Sequence, residues 1–155
     1  MTSNRGRHPA EAHWIFIFHL ATTLAMTGII WFIQIVHYPL LRLVGSSGFS
    51  AYETAHVHLA LRTVVPLMVV ELLTGVLLFW RRPSGLDLKA LWVGLGLLGI
   101  IWVSSGLLQV PQHEVLSRGF NPAAYRMLVD SNWIRTVAWS ARSLLVLRMS
   151  LKATP

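Results

Sequence analysis

The chain has 155 residues, of which 54% are hydrophobic and only 12% charged. Soluble proteins carry about 25% charged residues, so this deficit excludes an ordinary soluble domain and points to the membrane. The net charge of +7 does not indicate nucleic acid, because the basic residues gather at chain ends and turns. The absence of cysteine rules out a disulfide framework and thiolate chemistry.

Residues 1–12 read as a polar tail holding Arg5, Arg7 and Pro9. The first helix is expected over about 13–38, since a span needs roughly 20 apolar residues and residues 14–36 contain no Asp, Glu, Lys or Arg. The basic leader is signal-like, but the apolar stretch is too long and no small-residue cleavage site follows, so the helix is retained. His37-Tyr38-Pro39 marks its exit, because proline disfavours helical geometry in the residue before it. Gly45-Ser46-Ser47-Gly48 reads as a turn. Ser50 with Glu53 three residues later has the form of a capping box opening the second helix. That helix is expected over about 51–80, with Pro66 as a kink and Arg81-Arg82-Pro83-Ser84-Gly85 as the turn after it. The third, about 87–110, carries Gly94, Gly96, Gly99 and Gly106, which would admit close backbone packing. The fourth, about 124–150, is the least hydrophobic, interrupted by Arg135 and Arg142. The fold expected is all-α, an integral membrane four-helix bundle running up-down-up-down in one domain.

Each helix carries polar residues at helical spacing. His19, Thr23, Thr27, Gln34 and His37 form a stripe on the first. Glu53 and Glu71, on the second, are separated by five full turns and share a face. Ser105, Gln109 and His113 form an i, i+4 ladder on the third. Ionisable groups inside membranes are expensive and mark paired or functional sites. Glu71 and Arg142 lie at similar distances from the same end of their helices, so an ion pair is expected between them, with His19 nearby. It would fix helix register or serve a proton path.

In an up-down-up-down bundle His37, Glu53, His56 and His113 converge at one end. Three imidazoles and a carboxylate suit Fe, Zn or Mn. Gln34, Gln109 and Asn132 are expected to orient the imidazoles. Arg135 and Asn132 are expected to meet an anionic or carbonyl group of substrate. Trp31, Trp102, Trp133 and Tyr38 would line an apolar entry for a quinol, polyprenoid or fatty chain. His58 and Glu114 are weaker candidates for a second metal position. Haem clamped by His37 and His113 is the alternative cofactor. Histidines at helix ends also sit at membrane interfaces without binding anything, so a purely structural polar core is the competing reading.

The run Trp31-Phe32-Ile33-Gln34-Ile35-Val36-His37-Tyr38-Pro39-Leu40, then Tyr52-Glu53-x-x-His56, Gln109-x-Pro111-x-His113 and Asn132-Trp133-Ile134-Arg135-Thr136 resembles a group of small bacterial four-helix inner-membrane proteins. That resemblance covers most of the chain and implies a multi-pass inner-membrane location, without an activity. A fainter similarity is to the haem-binding HemJ-type protoporphyrinogen oxidases, which have a His, Trp-Phe, Tyr/Pro pattern on their first helix. Here His19 lies further from Trp31-Phe32, and no lysine falls within a span.

Arg5, Arg7, Arg81, Arg82, Lys89, Arg148 and Lys152 cluster at the termini and the second loop, while Arg42, Arg118 and Arg126 serve the other two. The positive-inside rule then puts both termini in the cytoplasm and the histidine cluster outside. The function expected is a metal-dependent membrane oxidoreductase acting on a lipid-soluble substrate at the outer interface. The alternatives are a haem-binding redox protein and a non-catalytic membrane subunit. The partners expected are the lipid bilayer and a lipid-soluble small molecule, with no nucleic acid; a homo-oligomer or a larger membrane complex is compatible with the chain.

Overall fold

The computed structural model describes residues 7–153, with side chains from Ala10 onward. Every regular element of more than one residue among them is helical. Helix α1 covers residues 7–41 and contains a π-helical turn at Ile33–His37. Helix α2 is Phe49–Leu77. Helix α3 covers residues 88–116, with a second π-helical turn at Ser105–Gln109. Helix α4 is Pro122–Ser150. The helix therefore starts at Arg7, inside the stretch expected to be a tail, while Arg5 lies outside the described residues.

Local chemistry explains the helix starts. Asp87 caps α3 by accepting from the Lys89 N–H at 3.0 Å. Asn121 caps α4 by accepting from Ala123 and Ala124, with Pro122 in the first turn, where its missing N–H costs nothing. The capping box expected at Ser50 and Glu53 does not form. Gly48 precedes α2 without a side-chain cap. The Ser50 hydroxyl donates instead to the Ser117 carbonyl at 2.5 Å, and Glu53 is fully buried against α3.

Helices α1 and α3 also run past the prolines expected to end α1 and close α3. Proline lacks the N–H for its i−4 carbonyl and clashes with it. Here the residue before each proline reaches one position further back: Tyr38 N–H donates to the Ile33 carbonyl and Val110 N–H to the Ser105 carbonyl. The widened turn absorbs Pro39 and Pro111 without breaking the helix. Such π turns re-aim the residues beyond them and recur at functional sites.

Three helical stretches, Ala10–Leu41, Phe49–Leu77 and Leu88–Leu116, are long and apolar enough to cross a membrane. Their outer faces are apolar, with Trp14, Phe18, Phe32, Leu73, Trp92 and Leu107 exposed. Helix α4 does not meet that standard, against the expectation of four spans by composition. Its polar residues are instead turned inward: Ser131, Asn132, Arg135, Thr136, Arg142 and Ser143 are all buried. Helix α1 packs on α2 and α4, and α3 packs on α4; α2 and α3 meet over a much smaller face.

The interior is layered. Phe16, Leu78, Leu91, Val146 and Met149 form one apolar layer. Met26, Ile30, Met68, Leu98, Ile101 and Trp139 form the middle one, and Tyr38, Leu41, Phe49, Leu116 and Leu128 the third. Along α1 and α4, polar residues fall between these layers, giving two polar levels. Of the helix-three glycines, only Gly94 faces neighbours, and an added Cβ would meet Leu145 at 3.5 Å and Arg142 at 3.6 Å, ordinary contact distances; Gly96, Gly99 and Gly106 face open space.

The polar level beside Gly94 joins all four helices. Glu71 Oε1 accepts from Thr23 Oγ1 at 2.8 Å and from Arg142 Nε at 3.0 Å. Glu71 Oε2 accepts from Trp139 Nε1 at 3.0 Å. Arg142 also donates to the Gly94 carbonyl. His19 bonds Thr74 Oγ1 at 3.0 Å and lies 3.4 Å from Arg142. Removing one partner of a buried pair strands the other charge, at about 3–5 kcal/mol, whereas replacing both by apolar residues is near neutral. Arg142→Met should therefore lower stability by about 3–5 kcal/mol, and Glu71→Leu with Arg142→Met should restore much of the loss. Thermal unfolding in detergent checks both.

Candidate functional site

The second polar level gathers the residues expected to form the site. The His37 ring stacks on His56 with centroids 4.4 Å apart, and the His56 and His113 centroids are 5.5 Å apart. His113 Nδ1 is 2.5 Å from Glu53 Oε1. Glu53 is fully buried and His113 half-buried. His37, Glu53, His56 and His113 thus form one contiguous cluster contributed by α1, α2 and α3. Tyr38 and Tyr52 flank His37, with centroid distances of 6.0 and 6.5 Å.

The cluster does not stand as a closed ligand set. Among the described residues, no three His, Asp or Glu side chains form a group arranged to hold a metal ion. Two interactions account for this. Glu53 turns one oxygen onto His113, and His37 lies face to face with His56. His58 and Glu114 are exposed and add nothing to the cluster.

The amides do not orient the imidazoles as expected. Gln34 Oε1 accepts from Asn132 Nδ2 at 2.7 Å, and Gln34 Nε2 donates to the Val129 carbonyl at 3.3 Å. Gln109 accepts from Ser104 Oγ at 3.1 Å and donates to Ser131 Oγ at 2.8 Å. The two glutamines therefore tie α1 and α3 to α4 beneath the cluster. Ser104 and Ser131 were not singled out in the sequence: Ser104 lies five residues before Gln109, a spacing that meets across a π turn, and Ser131 lies on another helix. Trp139 was also missed, although it lies one turn from both Arg135 and Arg142.

A cavity of about 440 Å³ adjoins the cluster. It lies between α2 and α3, where those helices diverge. His56, His113, Gln109, Tyr38 and Arg135 supply its polar wall. Leu61, Val64, Val65, Met68 and Val110 supply its apolar wall. Trp31, Trp102 and Trp133, expected along the entry, are elsewhere. Trp31 and Trp133 pack edge to face at 5.8 Å, and Trp31 Nε1 donates to Ser140. Trp102 packs against the middle apolar layer.

Four buried polar atoms at this level lack a partner: His37 Nε2, Glu53 Oε2, Asn132 Oδ1 and Arg135 Nε. Native structures contain few such atoms, and each calls for an explanation. The Glu71 level contrasts with this, because both oxygens of its carboxylate are bonded.

Comparison with protein-family models, with curated proteins and with solved structures finds no significant match. The chemistry of the site therefore rests on its own residues.

The histidines of the cluster differ in what they bond. Loss of His113 strands the buried Glu53 carboxylate, whereas His37 Nε2 bonds nothing. His113→Ala should destabilise the fold by about 3–5 kcal/mol. His37→Ala should cost clearly less than His113→Ala in the same thermal unfolding assay. Equal losses would make the cluster packing alone.

Proposed function

We propose that this protein is an integral membrane four-helix bundle that binds a transition metal ion and acts on a lipid-soluble substrate. The chain would run up-down-up-down in a bacterial inner membrane, with both termini cytoplasmic and the histidine cluster near the outer interface. Three helices with spanning length and composition, apolar outer faces and the distribution of arginines support that placement.

The observation that carries the metal reading is the pair of unpartnered buried atoms, Glu53 Oε2 and His37 Nε2, within a cluster of three imidazoles. A carboxylate oxygen and imidazole nitrogens are the donors that Fe, Zn or Mn take. The Glu53–His113 bond engages Nδ1, leaving Nε2 as the nitrogen for a metal, the usual carboxylate–histidine arrangement. His37, His56 and His113 would hold the ion, with Glu53 holding His113 or joining them. No separate general base stands out beside this ligand set, which favours an oxidoreductase over a hydrolase. The chain's own groups would bind and orient the substrate: Arg135, Gln109 and Tyr38 face the cavity, and its apolar wall excludes water.

Haem is the second cofactor reading. Haem clamped by His37 and His113 would need open space between the two rings, and His56 lies 4.4 Å from one and 5.5 Å from the other, which favours the non-haem ion. The mutual bond of Glu53 and His113 is what a non-catalytic membrane subunit with a structural polar core would also use.

Elemental analysis and an absorption spectrum of detergent-purified protein from metal-replete cells decide among the three. The expected result is about one Fe, Zn or Mn per chain, as for a single four-ligand site, lost in His37→Ala while the protein remains folded. A Soret band would replace the ion by haem. Folded protein with neither metal nor chromophore would leave the structural reading.

A further inference from the structure

One buried cation has no carboxylate within ion-pair distance among the described residues. Among the described residues the buried charged side chains are Glu53, Glu71, Arg135 and Arg142. Glu71 pairs with Arg142 at 3.0 Å, and Glu53 pairs with His113 at 2.5 Å. Arg135, only 8% exposed, forms no ion pair among the described residues. Its contacts are a long 3.4 Å bond to Ser105 Oγ and the Trp139 ring 5.6 Å from the guanidinium carbon. Its Nε has no partner. An unpaired buried guanidinium is costly, and a cation above an aromatic ring offsets only part of that.

Arg135 lines the cavity between α2 and α3. That cavity has two characters. One wall is polar, with Arg135, Gln109, His56 and His113, and the exposed Glu114 and His58 also border the space. The other is apolar and continues to the outside: Leu61 is 52% exposed, Val65 38% and Val110 50%. The opening therefore faces sideways between two helices, toward the same apolar outer surface that lipid would contact. Its volume lies within the about 300–1,000 Å³ of small-molecule sites.

We propose that the cavity binds a long-chain carboxylate, entering between α2 and α3, with its carboxylate on Arg135 and its chain along Leu61, Val65 and Val110. This rests on the membrane reading above and names the substrate class of that site. The unpaired guanidinium selects the headgroup. A carboxylate closes a single positive charge and fits the planar guanidinium with two parallel bonds. A phosphate monoester brings about −1.5 to −2 charges and would leave an excess. An alcohol leaves Arg135 unpaired. Gln109 and the imidazoles border the same space, so the headgroup lies next to the histidine cluster.

The test is equilibrium binding of radiolabelled hexadecanoate to the full chain in phosphatidylcholine nanodiscs, against empty discs. Saturable binding near one per chain is expected. Arg135→Gln should weaken it at least about tenfold, through the loss of a charge-assisted pair, and Arg135→Lys should retain part of it. Hexadecanol should compete poorly. Ala60→Trp fills the cavity without touching Arg135 and should also abolish binding, which covers the case of an Arg135 variant that does not fold. Hexadecanoate uptake equal to empty discs overturns the proposal, as does binding unchanged in Arg135→Gln. Equal competition by hexadecyl phosphate or hexadecanol overturns the carboxylate assignment. Metal content measured on the same discs separates the two readings. Metal without hexadecanoate binding sinks the substrate class alone, and hexadecanoate binding without metal sinks the metal centre alone.

Discussion

Glu71 and Arg142 tie the four helices together at one level. The carboxylate on α2 accepts from Thr23 of α1 and from Trp139 and Arg142 of α4, and the guanidinium reaches the backbone of α3 at Gly94. In apolar surroundings an unsatisfied charge costs so much that rotation or sliding of any one helix is opposed by the whole group. Gly94 belongs to this arrangement through its backbone, whose carbonyl accepts from the Arg142 guanidinium. The three apolar layers then fill the space that this node holds open.

The second polar level uses similar residue types to a different end. Its two glutamines are satisfied by Asn132, by the Val129 carbonyl and by serines on α3 and α4. Its ionisable groups are not: Glu53, His37 and Arg135 each keep a buried atom without a partner. A bundle that can close one network completely has no general reason to leave the other open. Arg135 borders the cleft between α2 and α3 directly, and Glu53 and His37 adjoin it through His113 and His56. Incomplete bonding, a cavity and two π turns at a single level favour a ligand site over packing alone.

Much of this was legible in the sequence, and the reasons are local. The first three helices follow from runs almost free of charge. The Glu71–Arg142 contact follows from their matched distances to the helix ends, and the convergence of His37, Glu53, His56 and His113 from their positions at the other ends. What depends on rotation about the helix axis was not legible. The capping box failed because the partner of Glu53 is His113, sixty residues away. The glutamines bond Asn132 and serines rather than imidazoles, because amide direction follows helix rotation after a π turn. The helix ends at Pro39 and Pro111 were misplaced, since a proline is read as a stop and a widened turn carries no composition signal.

The two prolines account for why the site lies where it does. Each is preceded by a wide turn whose last N–H reaches five residues back. The first of these turns carries Gln34 and His37; the second carries Gln109 and passes directly into the turn bearing His113. One extra residue per turn shifts everything beyond it around the axis. The same device therefore sets the facing of both histidine-bearing ends, on α1 and on α3, while the Glu71 level below remains on regular helix. The two levels thereby differ along the helices: a closed ionic node holds them in register, and a re-aimed segment above it carries His37 and His113 beside a cleft that the node does not have to close.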